Sequence, residues 1–154
     1  MENQERIAHF DHSFLKGETS MEKGAKGEIV YTVLQKDLAS EVAVDSEDSF
    51  PEVLATSRMI GLMEVSAARL MKPLLKPGEL SVGVGVDIKH FAPTPVGEEV
   101  RVVATFLEPD GKLYLFAMEV FDKAGKVAGG KHSRAIVEKA RLMDGAKKRI
   151  VKAG

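Results

Sequence analysis

The sequence predicts an α+β fold in which a five-stranded antiparallel sheet wraps around one long central helix. Three observations predict it. The stretch from Phe50 to Gly78 is the longest apolar segment of the chain and reads as helix. One strand-like run precedes it, and four follow, joined largely by hairpins. The helix is apolar around most of its circumference, so a sheet must cover it.

Composition narrows the class. At 154 residues the chain fits one principal domain, and an apolar share of 44% with 29% charged residues describes an ordinary globular protein. Twenty-two basic and 23 acidic residues give a net charge of −1, so no overall field recruits nucleic acid or an anionic membrane. With zero cysteines there is no disulfide scaffold, thiolate metal site or cysteine nucleophile. No N-terminal run joins a basic start to an apolar core, and nothing approaches 18 consecutive apolar residues. A cytoplasmic enzyme or binding module, needing neither membrane nor cofactor, is expected.

Residues 1–25 read as a polar N-terminal arm in which Ile7, Phe10, Phe14 and Leu15 recur near helical spacing. His9, Asp11 and His12 lie close together there, but without a third or fourth ligand at convincing spacing they read as solvated, and no metal site is assigned. The principal domain spans residues 26–138. Its first strand, Gly27 to Gln35, alternates apolar residues on both sides and is expected to be buried on both faces. Leu38 to Val44 reads as a loosely apolar continuation. An acidic turn at Asp45 to Asp48 then leads to the central helix, whose N-terminus suits carboxylates.

Within that segment a short turn is expected from Pro51 to Ala55 and a helix from about Ser57 to Leu75, ended by Pro77-Gly78. Arg58, Arg69, Lys72 and Lys76 fall within roughly 40° of one line on the helix. Glu64 lies about 120° from that line, beside small and apolar residues. A carboxylate off the solvated stripe calls for a partner or a ligand. Thr56, eight residues earlier, would stand about 12 Å away on one continuous helix. If Thr56 and Ser57 cap the helix after a turn, Thr56 can fold back toward Glu64. The plainer alternative makes Thr56 an N-cap and Glu64 a satisfied interface acid. Leu62 and Val65 interrupt the charged stripe, which suggests that this face meets a second subunit.

After the helix, Leu80 to Phe91 alternates as a strand with an edge-like character. Its Gly83 and Gly85 mark a bulge or a close approach. His90 stands at its far end, before Pro93 and Pro95. Glu98 to Leu107 and Leu113 to Asp122 form a hairpin about Pro109 to Lys112. Val127 to Glu138 is the last strand, with Gly130, His132 and Arg134 on one face. His132 reads as structural. Residues 139–154 form a basic amphipathic tail, read as a short helix.

The order β-α-β-β-β-β with a wrapped helix is similar to the hotdog fold. At FPEVLAT, GLMEVSAARLM, the strand ending in His90, and GGKHSRAIV, the chain resembles hotdog thioesterases of the fluoroacetyl-CoA thioesterase family, over roughly Gly27 to Val137. The resemblance implies a catalytic set of Thr56, Glu64 and His90. It implies further that Gly83 and Arg134 line the acyl end of the pocket and that Phe50 matches one of two lid phenylalanines. Glu47 stands near the position of the other, so the implied activity is hydrolysis of a short or medium acyl-CoA rather than fluoroacetyl selectivity. Hotdog subunits commonly join edge to edge, which implies a homodimer.

In such chemistry Glu64 attacks the thioester directly, or activates water or Thr56 as a general base. Thr56 and His90 are the expected neighbours that keep Glu64 charged, Gly83 offers a backbone N–H as an oxyanion donor, and Arg134 faces the acyl group or an ordinary acid. The rival readings are a hotdog enoyl-CoA hydratase and a non-catalytic module that binds acyl-CoA or another small ligand.

Overall fold

The computed structural model describes residues 21–154. The arm residues Ile7, Phe10, Phe14 and Leu15, and the His9, Asp11 and His12 group, lie outside the described residues. The elements are β1 (Lys26–Thr32), α1 (Thr56–Met71), β2 (Glu79–His90), β3 (Glu99–Asp110), β4 (Leu113–Asp122), β5 (Gly125–Glu138) and α2 (Lys139–Ala153). The strands form one antiparallel sheet in the order β1-β3-β4-β5-β2, and α1 lies across one of its faces.

Burial along α1 falls on Met59, Leu62, Met63, Ser66, Ala67, Leu70 and Met71, the three- and four-residue spacing of one helical stripe. The stripe meets Ile29, Val102, Ala104, Phe106, Phe116 and Met118 in the core cluster. Ser66 is polar within that stripe, and its hydroxyl donates to the Gly27 carbonyl at 3.0 Å. The bond holds α1 against β1 and satisfies a buried group.

Several expectations are corrected. The helix ends at Met71 rather than Leu75, because Pro73 has no N–H to continue the ladder and the chain tightens into a 3₁₀ turn at Lys72–Leu74. β1 stops at Thr32 and buries Gly27 and Ile29, while Val30 and Thr32 stay half-buried. It is an edge strand of a sheet covered by a helix on one side, so it has no second buried face. The Leu38 to Val44 continuation is a 3₁₀ turn at Ala39–Val42, preceded by another at Gln35–Asp37. Of the two residues expected to face a second subunit, Leu62 packs into the chain's own core while Val65 stays exposed. The hairpin between β3 and β4 closes with only Gly111-Lys112 outside the strands, and the tail helix is 15 residues long rather than short. Among the described residues, no helix is long and apolar enough to cross a membrane.

The edge-like reading of the strand after the helix holds. β2 is the last strand of the sheet, bonded to β5 on one side only, and Leu80, Val84 and Val86 along it, with Phe91 just after it, are exposed apolar residues. The β2–β5 register shifts between Gly83 and Gly85, which places a bulge where the glycines predict one.

Candidate active site

Two polar clusters lie along β2. The first is at its C-terminal end. The Thr56 hydroxyl and His90 Nδ1 are 2.9 Å apart, joining the first residue of α1 to the last residue of β2. Burial lowers the His90 pKa, while the Ala92 backbone opposes the shift without making a bond of good geometry to the buried Nε2. With the ring neutral and its proton at Nε2, Nδ1 accepts the Thr56 proton.

The second cluster is centred on Arg134, 5% exposed and facing α1 from β5. Its Nε donates to Ser81 Oγ at 3.0 Å, and one terminal nitrogen donates to the Ser81 carbonyl at 2.8 Å. The other stands 3.3 Å from both Glu64 Oε1 and His132 Nε2. His132 Nδ1 lies 2.8 Å from the Gly85 carbonyl. A carbonyl only accepts and a guanidinium only donates, so His132 carries its proton on Nδ1 and is neutral. Burial lowers its pKa, with Arg134 adding to the effect, while the Gly85 carbonyl and Glu64 oppose it. Burial also lowers the Arg134 pKa, and the Glu64 carboxylate opposes that shift.

Glu64 reaches this cluster from the middle of α1 with its side chain 43% exposed. Its carboxylate fills the space beside Gly83, where a Cβ would collide with Oε1. The glycine thus admits the acid between helix and strand. One carboxylate oxygen faces Arg134, and the half-exposed group can be reached by water or a ligand.

Thr56 and Glu64 do not meet within the chain. α1 runs unbroken from Thr56, with Ala55 as its N-cap and no side-chain capping bond, so Thr56 neither caps the helix nor folds back. Eight residues of helix separate the two by about 12 Å. The partner of Glu64 is therefore Arg134, and Thr56 and His90 partner each other. Phe50 is exposed on the approach to α1, and Glu47 sits in the Asp45 to Asp48 turn, where its N–H donates to Asp45 Oδ1.

Sequence reasoning missed two groups. Asp37, 1% exposed, accepts from the Tyr31 hydroxyl and Leu34 N–H at 2.8 Å and from Arg58 at 3.0 Å. Arg58, still exposed on the stripe, thus covers the buried carboxylate and pins the first turn of α1, two residues after Thr56. The hydrogen bond to Asp37 raises the Arg58 pKa; burial and then Asp37 raise that of the Tyr31 phenol. His132 is the second, read as structural but bonded directly to Arg134. Its position two residues before Arg134 on one strand face was the available signal.

Comparison with known proteins gives a consistent answer. The family described as fluoroacetyl-CoA-specific thioesterase matches residues 33–140. The fluoroacetyl-CoA thioesterase of Streptantibioticus cattleyicolor is 39% identical over 88 residues, which span 57% of this chain and 63% of that enzyme. A solved structure of the fluoroacetyl-CoA thioesterase FlK superposes with a TM-score of 0.80 at 29% identity, covering 84% of this chain and 97% of that one. A hot-dog-like protein from Thermanaerovibrio acidaminovorans superposes with a TM-score of 0.71 at 24% identity, covering 82% of this chain and 91% of that one, a likeness of fold. The architecture is the hotdog fold.

Proposed function

This chain belongs to the fluoroacetyl-CoA-specific thioesterase family, and from that premise we propose that it hydrolyses the thioester of a short or medium acyl-CoA to the free acid and coenzyme A. The observation that carries the reading is the pair of polar clusters on β2, Thr56 with His90 and Glu64 with Arg134. They supply a hydroxyl with its proton acceptor and a carboxylate held by a cation. Glu64 either attacks the thioester carbon or activates the attacking water, and the Gly83 backbone N–H is the oxyanion donor. Arg134 fixes the carboxylate and faces the acyl group; Phe50 borders the entrance.

The two clusters come together in a homodimer. The free β2 edge carries exposed Leu80, Val84 and Val86, with exposed Phe91 directly after it, a surface that proteins seldom leave unpaired. With Val84 as the extra residue of the bulge, antiparallel pairing of two such edges about a two-fold axis at Asp87 sets His90 of one copy opposite Gly83 of the other, each three pairing positions from that point. The Thr56–His90 pair of one subunit then faces Glu64 of the second. An acyl-CoA substrate supports a cytoplasmic setting for the protein.

The test is release of free thiol from a panel of acyl-CoAs, with the mass in solution measured by light scattering. Hydrolysis by a dimer is expected. A monomer of 16.7 kDa would sink the shared site. Ligand binding without thiol release would make the protein a binding module.

A further inference from the structure

α2 adds no buried residue to the fold and meets the body chiefly through β5. Between this helix and the end of β5 lies a groove of about 550 Å³, with Ile136 and Val137 on one side and Arg141, Leu142, Gly145 and Arg149 on the other. At 100° per residue the groove-lining residues of α2 from Arg141 to Arg149 share an arc of about 140°. Arg141 and Arg149 stand about 12 Å apart along the axis, with Gly145 midway.

Gly145 is the informative residue. Glycine is among the poorest helix formers, yet it occupies the centre of a 15-residue helix. A Cβ there would meet nothing within 4 Å. The chain's own packing therefore does not require glycine, and its absent side chain deepens the groove.

Charge gives the class of ligand. α2 carries six bases, Lys139, Arg141, Lys147, Lys148, Arg149 and Lys152, against one acid, Asp144, which is paired with Lys148 at 2.8 Å. The helix is thus at +5 on a chain of net charge −1. Glu138 is the one acid on the groove and stands at its β5 end, so an anion is favoured toward Arg149. The groove also adjoins the Glu64 cluster. Ile136 follows Arg134 by two residues on the same face of β5, about 7 Å along the strand, and pairs with Ser81, the residue that holds Arg134.

We propose that this groove seats the 3′-phosphorylated ADP end of coenzyme A, with Arg141 and Arg149 on its phosphates and the adenine over Leu142 and Gly145. The proposal rests on the acyl-CoA reading above. The pantetheine arm spans the strand between the thioester at Glu64 and the nucleotide at α2. The family match ends at residue 140, the second residue of α2, so it does not include the α2 side of this groove.

The test uses the full chain, an Arg141→Ala/Arg149→Ala double variant and Gly145→Leu, which fills the groove with a better helix former. Calorimetric titration with adenosine 3′,5′-bisphosphate should show binding to the parent, weakened at least tenfold in both variants, with helix content retained by circular dichroism. For acetyl-CoA, KM should rise about tenfold with kcat unchanged. Acetyl-pantetheine, which lacks the nucleotide, should be hydrolysed equally by all three. Equal bisphosphate binding by all three proteins, no binding by the parent, or equal damage to both thioesters overturns the subsite. If no thioester is hydrolysed but the variants still lose the bisphosphate, the subsite stands and the hydrolase reading falls.

Discussion

Glu64 Oε1 occupies the space that a Cβ on Gly83 would need. The acid and the glycine are thus one steric unit. Gly83→Ala forces the carboxylate away from Arg134, and a displacement of about 1 Å at a reacting group can cost roughly 10²-fold in rate. The expected result is a kcat loss of about that size with the oligomeric state of the parent protein retained. Parental kcat in the alanine variant would place the chemistry elsewhere.

Glu64→Gln removes the charge and keeps the shape. Turnover of the best acyl-CoA should fall by at least 10²-fold, the scale for loss of a general base. Arg134 loses its opposing charge, but Glu64 is 43% exposed and solvent screens the pair. The stability change should therefore be about 1 kcal/mol or less, read as a small fall in Tm. A large fall in Tm with full activity would make Glu64 a structural acid.

The histidines set an acid limit. Burial lowers the pKa values of both His90 and His132, so between the folded values and the ordinary one, about 6.5, the unfolded chain binds more protons. Their contribution to stability is complete above about 6.5 and is lost as pH falls through the folded values. Tm should decline below about pH 6.5, and less steeply in His132→Gln. The direction is clear: an unchanged pH dependence in that variant would show that His132 is not the titrating group.

Thr56→Ala and His90→Ala remove the same hydrogen bond and should be non-additive. Each alone should lower kcat/KM by about 10²- to 10³-fold, within the range for acid–base catalysis, and the double variant little further. Full additivity would mean that the two act independently.

Selectivity should be graded. Glu47 in its acidic turn does not provide an apolar lid, and each methylene seated in an apolar pocket is worth about 1 kcal/mol. The ratio of kcat/KM for fluoroacetyl-CoA over acetyl-CoA should stay below about 10⁴. A larger ratio would refute the role given to Glu47.

The fold was legible because its signals are local. The apolar stripe of α1, the glycines at the β2 bulge and the β3–β4 turn each act within a few residues. Glu64 stood out for the same reason, as a charge off the solvated stripe. Its partner did not, since Arg134 lies 70 residues away and reaches it only through the β2–β5 pairing. Periodicity assigns a residue to a face without naming what that face meets. Asp37 escaped notice similarly: an acid in a polar turn looks solvated until Arg58, 21 residues later, closes over it.

The strand order also bears on how the molecule comes together. β3, β4 and β5 are joined by successive hairpins, so their pairing closes short loops. β2 must instead find β5 across the intervening β3 and β4, a closure that costs more chain entropy. The two edge strands, β1 on β3 and β2 on β5, are then secured after the hairpin-linked strands and open before them. In hydrogen exchange, β2 amides should lose protection ahead of those in β4, and a partner paired along β2 would slow that opening in proportion to protein concentration.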